Sequence, residues 1–144
     1  MYQFCYISES TSDKSILLED LRNILAEARD FNYRHQVSGA LYFAEGYFFQ
    51  CLEGDKEVLQ SLIDKLRKDP RHTNIKLFEF KQINEAVFAD WSMKYISRRD
   101  EIHQCCQRMG FDAFKPYAFE QKHVDTLLEI LKNQNESKNE QNVA

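Results

Sequence analysis

Residues 2–8 alternate in kind, with Tyr2, Phe4 and Tyr6 on one side and Gln3, Cys5 and Ile7 on the other, and this period of two is typical of a β-strand. The pattern changes over residues 17–31, where apolar residues recur three and four positions apart, as they do on one face of an α-helix. These residues therefore predict a strand followed by an amphipathic helix. Asn32 comes next and tolerates the left-handed conformation that often ends a helix, so we expect this helix to end there.

A hairpin and a second helix follow. Residues 37–43 and 47–53 are apolar runs separated by Ala-Glu-Gly, and Gly46 can supply the positive φ angle that a tight turn needs. The next apolar stripe has helical spacing; Asp55 can cap its start, and Pro70 forces the helix to end just before it. The residues of this stripe are Val58, Leu59, Leu62, Ile63 and Leu66.

Two further strands complete the predicted sheet. Residues 74–83 alternate as a fourth strand, and a short fifth strand fits residues 91–96. The order β-α-β-β-α-β with one more strand is that of a ferredoxin-like α+β sandwich, in which two helices cover one face of the sheet. We therefore expect residues 1–97 to form the main domain.

The sequence changes character beyond the fifth strand. A short helix ends at Gly110, residues 111–119 form an aromatic loop, and residues 123–132 have the spacing of a last amphipathic helix. We expect residues 98–132 to be appended helices, a helical extension of the same domain. Residues 133–144 are polar and of low complexity, which predicts a disordered tail.

Composition and charge narrow the function. The chain has 144 residues, of which 43% are hydrophobic, and this fits one globular domain. Its 19 basic and 23 acidic residues give a net charge of −4, which argues against direct nucleic-acid binding through a basic face. Since no apolar run approaches the roughly 20 residues of a membrane-spanning helix, and the N-terminus lacks the plan of a secretory signal, we expect a cytoplasmic protein without membrane contact.

The four cysteines and four glycines exclude several common sites. The cysteines form no C-x-x-C pair, so we expect reduced, structural thiols. The glycines allow neither of the usual glycine-rich nucleotide-binding motifs. A metal site at His103, Cys105 and Cys106 is a weak alternative, because adjacent cysteines in a helix point in different directions.

One polar residue falls on the face of the sheet that the helices bury. Gln50 shares its side of the third strand with Phe48 and Leu52, and an unpaired buried carboxamide would cost about 1–3 kcal/mol. Tyr6 shares its side of the first strand with Phe4, and this topology usually places the first strand beside the third. We therefore expect a Tyr6–Gln50 pair. Spacing alone leaves open whether it is a structural pair or part of a site.

Other polar residues also have two interpretations. Asn32 is either a helix cap or a carboxamide placed near the sheet edge. Trp91 and Met93 share one side of the fifth strand and are either core residues or site residues. A cluster at the end of the second helix is either a solvated turn or an anion site. Its members are Lys65, Asp69, Arg71 and His72.

Five separated motifs resemble, in order and spacing, the signature of BLUF domains, which sense blue light using FAD. They are F-C-Y-I-S, R-D-F-N-Y-R-H-Q-V-S-G-A-L-Y-F, G-Y-F-F-Q-C-L-E-G, K-D-P-R-H and F-A-D-W-S-M. The resemblance covers residues 1–97. The segment that follows is similar to the two-helix extension of short, single-domain BLUF proteins.

The resemblance implies FAD, rather than FMN, bound non-covalently with its ring between the two helices. Tyr6 matches the photoactive tyrosine, and Gln50 matches the glutamine that bridges it to the flavin. Trp91 and Met93 match the motif that responds to the switched glutamine. The implied binding residues are the apolar walls Ile24, Leu25, Ile63 and Leu66, Asn32 at the pyrimidine edge, Lys65, Asp69, Arg71 and His72 by the ring and phosphates, and Ala28, where the family often has a serine.

By the same resemblance, Tyr6 gives an electron and then a proton through Gln50 after excitation, and the carboxamide is left rotated or tautomerised. A sensor without a catalytic domain signals through contact with an effector or regulator protein, so we expect no enzyme activity and a partner at the C-terminal region; self-association stays open. The alternatives are a light-independent flavin-dependent enzyme and a ferredoxin-like interaction module. Turnover in darkness would favour the first, and a colourless protein the second.

Overall fold

The computed structural model of the chain describes residues 1–97 and 99–132, and the predicted tail, 133–144, lies outside these residues. The strands are β1 (Tyr2–Ser10), β2 (Ser38–Ala44), β3 (Tyr47–Gly54), β4 (His72–Leu77), β5 (Lys81–Gln82) and β6 (Lys94–Ile96). The helices are α1 (Lys14–Arg34), α2 (Lys56–Lys68), α3 (Arg99–Arg108) and α4 (Gln121–Lys132), with a short 3-10 helix at Pro116–Ala118. The predicted α+β architecture is confirmed.

The strands form one mixed sheet in the order β4-β1-β3-β2-β6, and β5 pairs with β1 beside β4. β6 runs parallel to β2, whereas the other pairs are antiparallel. In the described residues, no helix is both long and apolar enough to span a membrane. The central strands β1 and β3 lie side by side, which sets Tyr6 directly opposite Gln50.

The alternation along the strands divides the apolar residues into two cores. On one face, the α1–α2 face, Phe4, Phe48 and Leu52 pack with residues of α1 and α2. On the other, the α3–α4 face, the intervening strand residues pack with α3, α4 and the aromatic loop. The helical extension thus covers a full face of the sheet. All four cysteines are buried, free thiols in this second core, whereas His103 is exposed.

Helix α1 is longer than the apolar pattern predicts, and Asn32 is not its end. The helix continues to Arg34, His35 occupies its C-terminal cap position, and the positive φ angle of 57° belongs to Gln36. The last turn includes Tyr33, which is 80% exposed. An apolar stripe marks only the residues a helix buries, so it does not show how far the helix extends into solvent.

The predictions for the sheet edges need correction. Residues 74–83 are not one strand, because β4 and β5 pair with β1 as two pieces, and Asn74 has a positive φ angle of 55° near a register shift. The predicted fifth strand is shortened to β6, so Trp91 and Met93 precede it. The hairpin turn has two residues, Glu45 and Gly46, both with positive φ, as tight hairpins prefer.

Candidate functional site

A cavity of about 150 Å³ lies between α1 and α2 above the centre of the sheet. Its floor comes from β1 and β3, its walls from the two helices, and its mouth from the turn between α2 and β4. The lining residues are Tyr6, Gln50 and Leu52 from the sheet, Ile24, Glu27, Ala28, Phe31 and Asn32 from α1, Leu62, Lys65 and Leu66 from α2, and Asp69 and Arg71 from the turn.

Tyr6 and Gln50 form a buried hydrogen bond on the floor of the cavity. The Tyr6 hydroxyl donates to Gln50 Oε1, as the register of β1 and β3 predicts. Burial, and to a smaller degree the negative charge of Asp69, raises the pKa of the Tyr6 phenol far above its ordinary value. The phenol is therefore a protonated donor at neutral pH.

The other end of the Gln50 carboxamide has a much weaker partner. Among the described residues, Gln50 Nε2 donates to Met93 Sδ at 3.6 Å, and a thioether sulfur is a weak acceptor. A buried N–H at a cavity wall with so weak a partner suits a ligand that carries a carbonyl oxygen. The donor set and the apolar walls thus fit a flat heterocycle such as a flavin.

Two side chains of α1 fasten the segment that precedes β6. Asn32 is 1% exposed, and its Nδ2 donates to the backbone carbonyl of Ser92 at 2.7 Å. Arg29 Nε donates to the carbonyl of Met93 at 3.1 Å. The segment bearing Met93 is therefore connected both to α1 and to the amide of Gln50.

Charged side chains bridge the mouth of the cavity. Arg71 forms a bidentate pair with Asp69 and reaches Glu27 on α1 at 2.7 Å. Burial alone would raise the pKa of Asp69, but hydrogen bonds from the Arg71 side chain and backbone lower it overall, so the carboxylate is ionised at neutral pH. Lys65 on α2 lies 4.2 Å from the ring centroid of Phe31 on α1. Lys65 and Arg71 thus place two positively charged groups at the mouth, where a phosphate chain could bind.

The structure brings nine of the fourteen predicted residues to the cavity surface and places five elsewhere. Leu25 is fully buried in the core of the α1–α2 face, and Ile63 packs against that core beside Leu62. His72 does not line the cavity; its Nδ1 lies 2.8 Å from Ser8 Oγ and its Nε2 lies 2.8 Å from the Leu66 carbonyl oxygen. The nine at the cavity are Tyr6, Ile24, Ala28, Asn32, Gln50, Lys65, Leu66, Asp69 and Arg71.

The remaining two predicted residues adjoin the site without lining it. Met93 is completely buried and contacts Gln50, whereas Trp91 is half-buried with Lys94 Nζ 5.2 Å from its ring centroid.

Four lining residues were not predicted, and the helical period could have found most of them. Glu27 and Phe31 follow Ile24 by three and seven positions on α1, which places all three on one face. Leu52 shares the side of β3 that carries Gln50. The fourth residue, Leu62, belongs to the apolar stripe of α2.

Comparison with known proteins gives the family. A family model described as BLUF, sensors of blue light using FAD, matches residues 1–94. The chain belongs to the BLUF family. The predicted resemblance and the predicted use of FAD are thereby confirmed.

Relatives of this BLUF protein include parts of larger light-regulated enzymes. The photoactivated adenylate cyclase subunit beta of Euglena longa is 36% identical over 89 residues, which are 61% of this chain and 10% of that protein. The chain thus spans about a tenth of the length of the curated relatives it matches.

Solved BLUF structures share the fold. The photo-activated state of BlsA is 41% identical with a TM-score of 0.88, and the match covers 95% of this chain and 98% of that chain. The ground state of BlsA gives the same TM-score. BlrB in its dark state shows the same fold at 24% identity, with a TM-score of 0.75 and coverage of 91% and 94%.

Proposed function

We propose that this BLUF protein senses blue light through a Tyr6–Gln50 switch beside non-covalently bound FAD. The observation that carries the proposal is the buried hydrogen bond from the Tyr6 hydroxyl to Gln50 Oε1 at the cavity floor, with Nε2 left to a weak sulfur acceptor. Bound FAD supplies the absorption of blue light and an electron acceptor in its excited state. Every other part of the switch belongs to the chain itself.

The lining residues divide the work of holding FAD. Ile24, Leu62 and Leu66 offer apolar walls for the ring. Asn32 offers its carboxamide oxygen at one edge, since its nitrogen already binds Ser92. Lys65 and Arg71, at the mouth, offer positive charge for the phosphates.

Tyr6 would donate an electron to the excited flavin and a proton along its existing hydrogen bond to Gln50 Oε1, and both would return to Tyr6 when the charges recombine. The carboxamide then turns or tautomerises, so that an acceptor replaces a donor at the position facing Met93 Sδ. Two acceptors then face each other, which favours movement of the Met93 side chain. One or two rearranged hydrogen bonds supply about 1–3 kcal/mol, enough to shift a two-state equilibrium but too little to unfold a domain.

The visible spectrum of the purified protein before and after blue light tests this proposal, with the released cofactor identified by mass. We expect FAD, not FMN, and a small red shift that reverses in darkness. A protein without flavin, or an absorption band that light leaves unchanged, would overturn it.

We further propose that the output is a protein–protein contact and that the chain itself is not an enzyme. The partner would be an effector or regulator protein in the cytoplasm. The closeness of Met93 to β6, and of β6 to α3, supports a binding site near the C-terminal helices. A light-dependent change in the binding of a candidate partner would support this output. Substrate turnover by the purified protein in darkness would overturn the non-enzymatic assignment.

A further inference from the structure

Glu53 is a fully buried carboxylate at the end of β3, with 0% exposure. Its Oε1 accepts hydrogen bonds from Ser38 Oγ at 3.1 Å and the backbone N–H of Phe88 at 2.8 Å. Its Oε2 accepts from Gln3 Nε2 at 2.9 Å and the backbone N–H of Val87 at 2.8 Å. Burying a carboxylate is costly, and four donors on two oxygens are the kind of arrangement that offsets the cost.

The four donors come from two different parts of the molecule. Gln3 and Ser38 lie opposite Glu53 in the register of β1, β3 and β2, so they belong to the centre of the sheet. Val87 and Phe88 belong to the connection between β5 and β6. Glu53 therefore binds this connection to the central strands of the sheet.

The connection continues directly into the switch region. The N–H of Trp91 donates to the carbonyl of Phe88 at 2.9 Å, which closes a turn over residues 88–91. The carbonyl of Trp91 accepts from the N–H of Gly39 at 3.2 Å. Met93 follows two residues later and contacts Gln50.

Glu53 and Gln50 thus hold one connection from opposite faces of the same strand. The contact at Gln50 is one weak N–H···S interaction, whereas the contact at Glu53 consists of two short bonds to a charged group. Bonds to charged groups are about twice as strong as neutral ones. When Gln50 changes, the Met93 side chain therefore loses a weak contact, whereas Val87 and Phe88 stay bound to Glu53.

We propose that Glu53 is a positioning residue of the light switch. It fixes the connection at Val87 and Phe88, so that a change at Gln50 moves the side chains of Met93 and Trp91 instead of loosening the whole connection. This inference rests on the proposed function of Tyr6 and Gln50 as the switch.

Amide hydrogen exchange in darkness, with FAD bound, tests the anchor. Glu53→Gln replaces one acceptor oxygen by an NH₂ group, so a donor then faces other donors and a backbone bond is lost. We expect the amides of Val87 and Phe88 to exchange at least about tenfold faster than in the wild type. Unchanged exchange at both amides would overturn the proposal.

The emission of Trp91, the single tryptophan of the chain, separates positioning from general destabilisation. We expect Glu53→Gln to keep FAD and the red shift but to lose the light-minus-dark change in Trp91 emission. Leu59→Val is the matched control, because Leu59 is fully buried on α2 and its truncation lowers stability elsewhere. If Leu59→Val removed the Trp91 response equally, Glu53 would be merely structural and the proposal would fail.

If Glu53→Gln does not fold, two further measurements still test whether Glu53 anchors the connection. Ser38→Ala removes one donor but leaves both amide bonds, so we expect a smaller rise in exchange at Val87 and Phe88. In the wild type itself, exchange of these two amides near the rate of an unfolded chain would refute the anchor. A wild type without a red shift would refute the switch, whereas the dark exchange would still report whether the anchor exists.

Discussion

In the proposed switch, the photochemistry depends on Tyr6. Its phenol is buried, its pKa is raised by that burial and by the nearby Asp69 charge, and its hydroxyl donates a hydrogen bond to Gln50 Oε1. A phenylalanine would keep the ring packing and lose both the oxidisable phenol and the proton. Removing the hydroxyl therefore tests the photochemical role of Tyr6 without changing how its ring packs.

We expect Tyr6→Phe to fold and to bind FAD but to lose the reversible red shift. The orphaned Gln50 Oε1 should lower the free energy of unfolding by about 1–3 kcal/mol. Visible spectra under blue light and a urea titration measure the two effects. Tyr42→Phe is the control, because Tyr42 is also buried but lies on the α3–α4 face, and it should keep the red shift. A full, reversible shift in Tyr6→Phe would show that Tyr6 is not the donor.

At the scale of residues, the sequence predicts contacts correctly where side chains alternate between the two faces of a strand. The parity of β1 and β3 predicted the Tyr6–Gln50 pair, which the register of the strands confirms. Parity did not show that the His72 ring binds Ser8 and the Leu66 carbonyl, so its predicted contact with the cofactor stays a prediction. Nor does an apolar stripe separate Leu62, which lines the cavity, from its neighbour Ile63.

At the scale of elements, α1 and α2 meet across the cavity through two bridges. Glu27 pairs with Arg71 beyond the end of α2, and Phe31, one helical turn along α1, stacks under Lys65. The Glu27 carboxylate is 64% exposed, so its ion pair contributes little to stability. We therefore expect the two bridges to affect the binding of a ligand in the cavity more than the stability of the fold.

We expect Arg71→Gln to weaken FAD binding at least about tenfold, because a charge-assisted bond to phosphate is lost. Titration of FAD into the cofactor-free protein, followed by flavin emission, gives the dissociation constant. Arg34→Gln serves as control, since Arg34 is an exposed arginine of α1 paired with Asp30 outside the cavity lining. Equal affinity of the Arg71 and Arg34 variants would place the phosphates elsewhere.

β6 is a short element that connects the two cores. Met93, just before it, is buried on the α1–α2 face, while Ile96, at its end, is buried on the α3–α4 face. The strand has three residues and pairs with β2 at the edge of the sheet. α3 begins three residues beyond Ile96, so a shift at Met93 has a short path to the C-terminal helices.

We expect Met93→Ala to keep the red shift but to lose the light-dependent change in hydrogen exchange across α3 and α4. Met93→Leu keeps a similar volume and lacks the sulfur acceptor, so it should fold with near wild-type stability and also lose transmission. A leucine variant that transmits normally would show that packing, not the contact with Gln50, carries the signal. An alanine variant that transmits normally would exclude Met93 from the path.

The elements themselves were predictable to the extent that each buries a face. The strands of the sheet centre and both site-forming helices follow from periodicity, because burial repeats every two or 3.6 residues. The edge of the sheet cannot be predicted in this way, since β4 and β5 are two strands separated by a break that alternation alone cannot reveal. The prediction of a strand at the residues before β6 was wrong for a similar reason. The carbonyl of Ser92 accepts a hydrogen bond from Asn32 of α1, whereas a strand would have paired it with a neighbouring strand.

At the scale of the whole molecule, one sheet is shared by two cores. Tyr6 of β1 belongs to the core of the α1–α2 face, and its neighbours Cys5 and Ile7 belong to the other core. The aromatic loop also contacts the sheet directly, because Lys76 of β4 donates to the carbonyls of Tyr117 and Phe119 at 3.2 and 2.9 Å. A loss of packing under α4 should therefore reach the flavin site through the strands.

We expect Leu127→Ala, in the buried face of α4, to lower the free energy of unfolding by about 2–5 kcal/mol. Flavin release and loss of secondary structure should shift together, because the cores share every central strand and unfold as one unit. Urea titrations followed by flavin emission and by far-UV circular dichroism measure both. Glu129→Ala, at an exposed position on the same helix, should leave both midpoints unchanged. If Leu127→Ala lowered the midpoint for secondary structure but left flavin release at the wild-type value, residues 99–132 would be a separate folding unit.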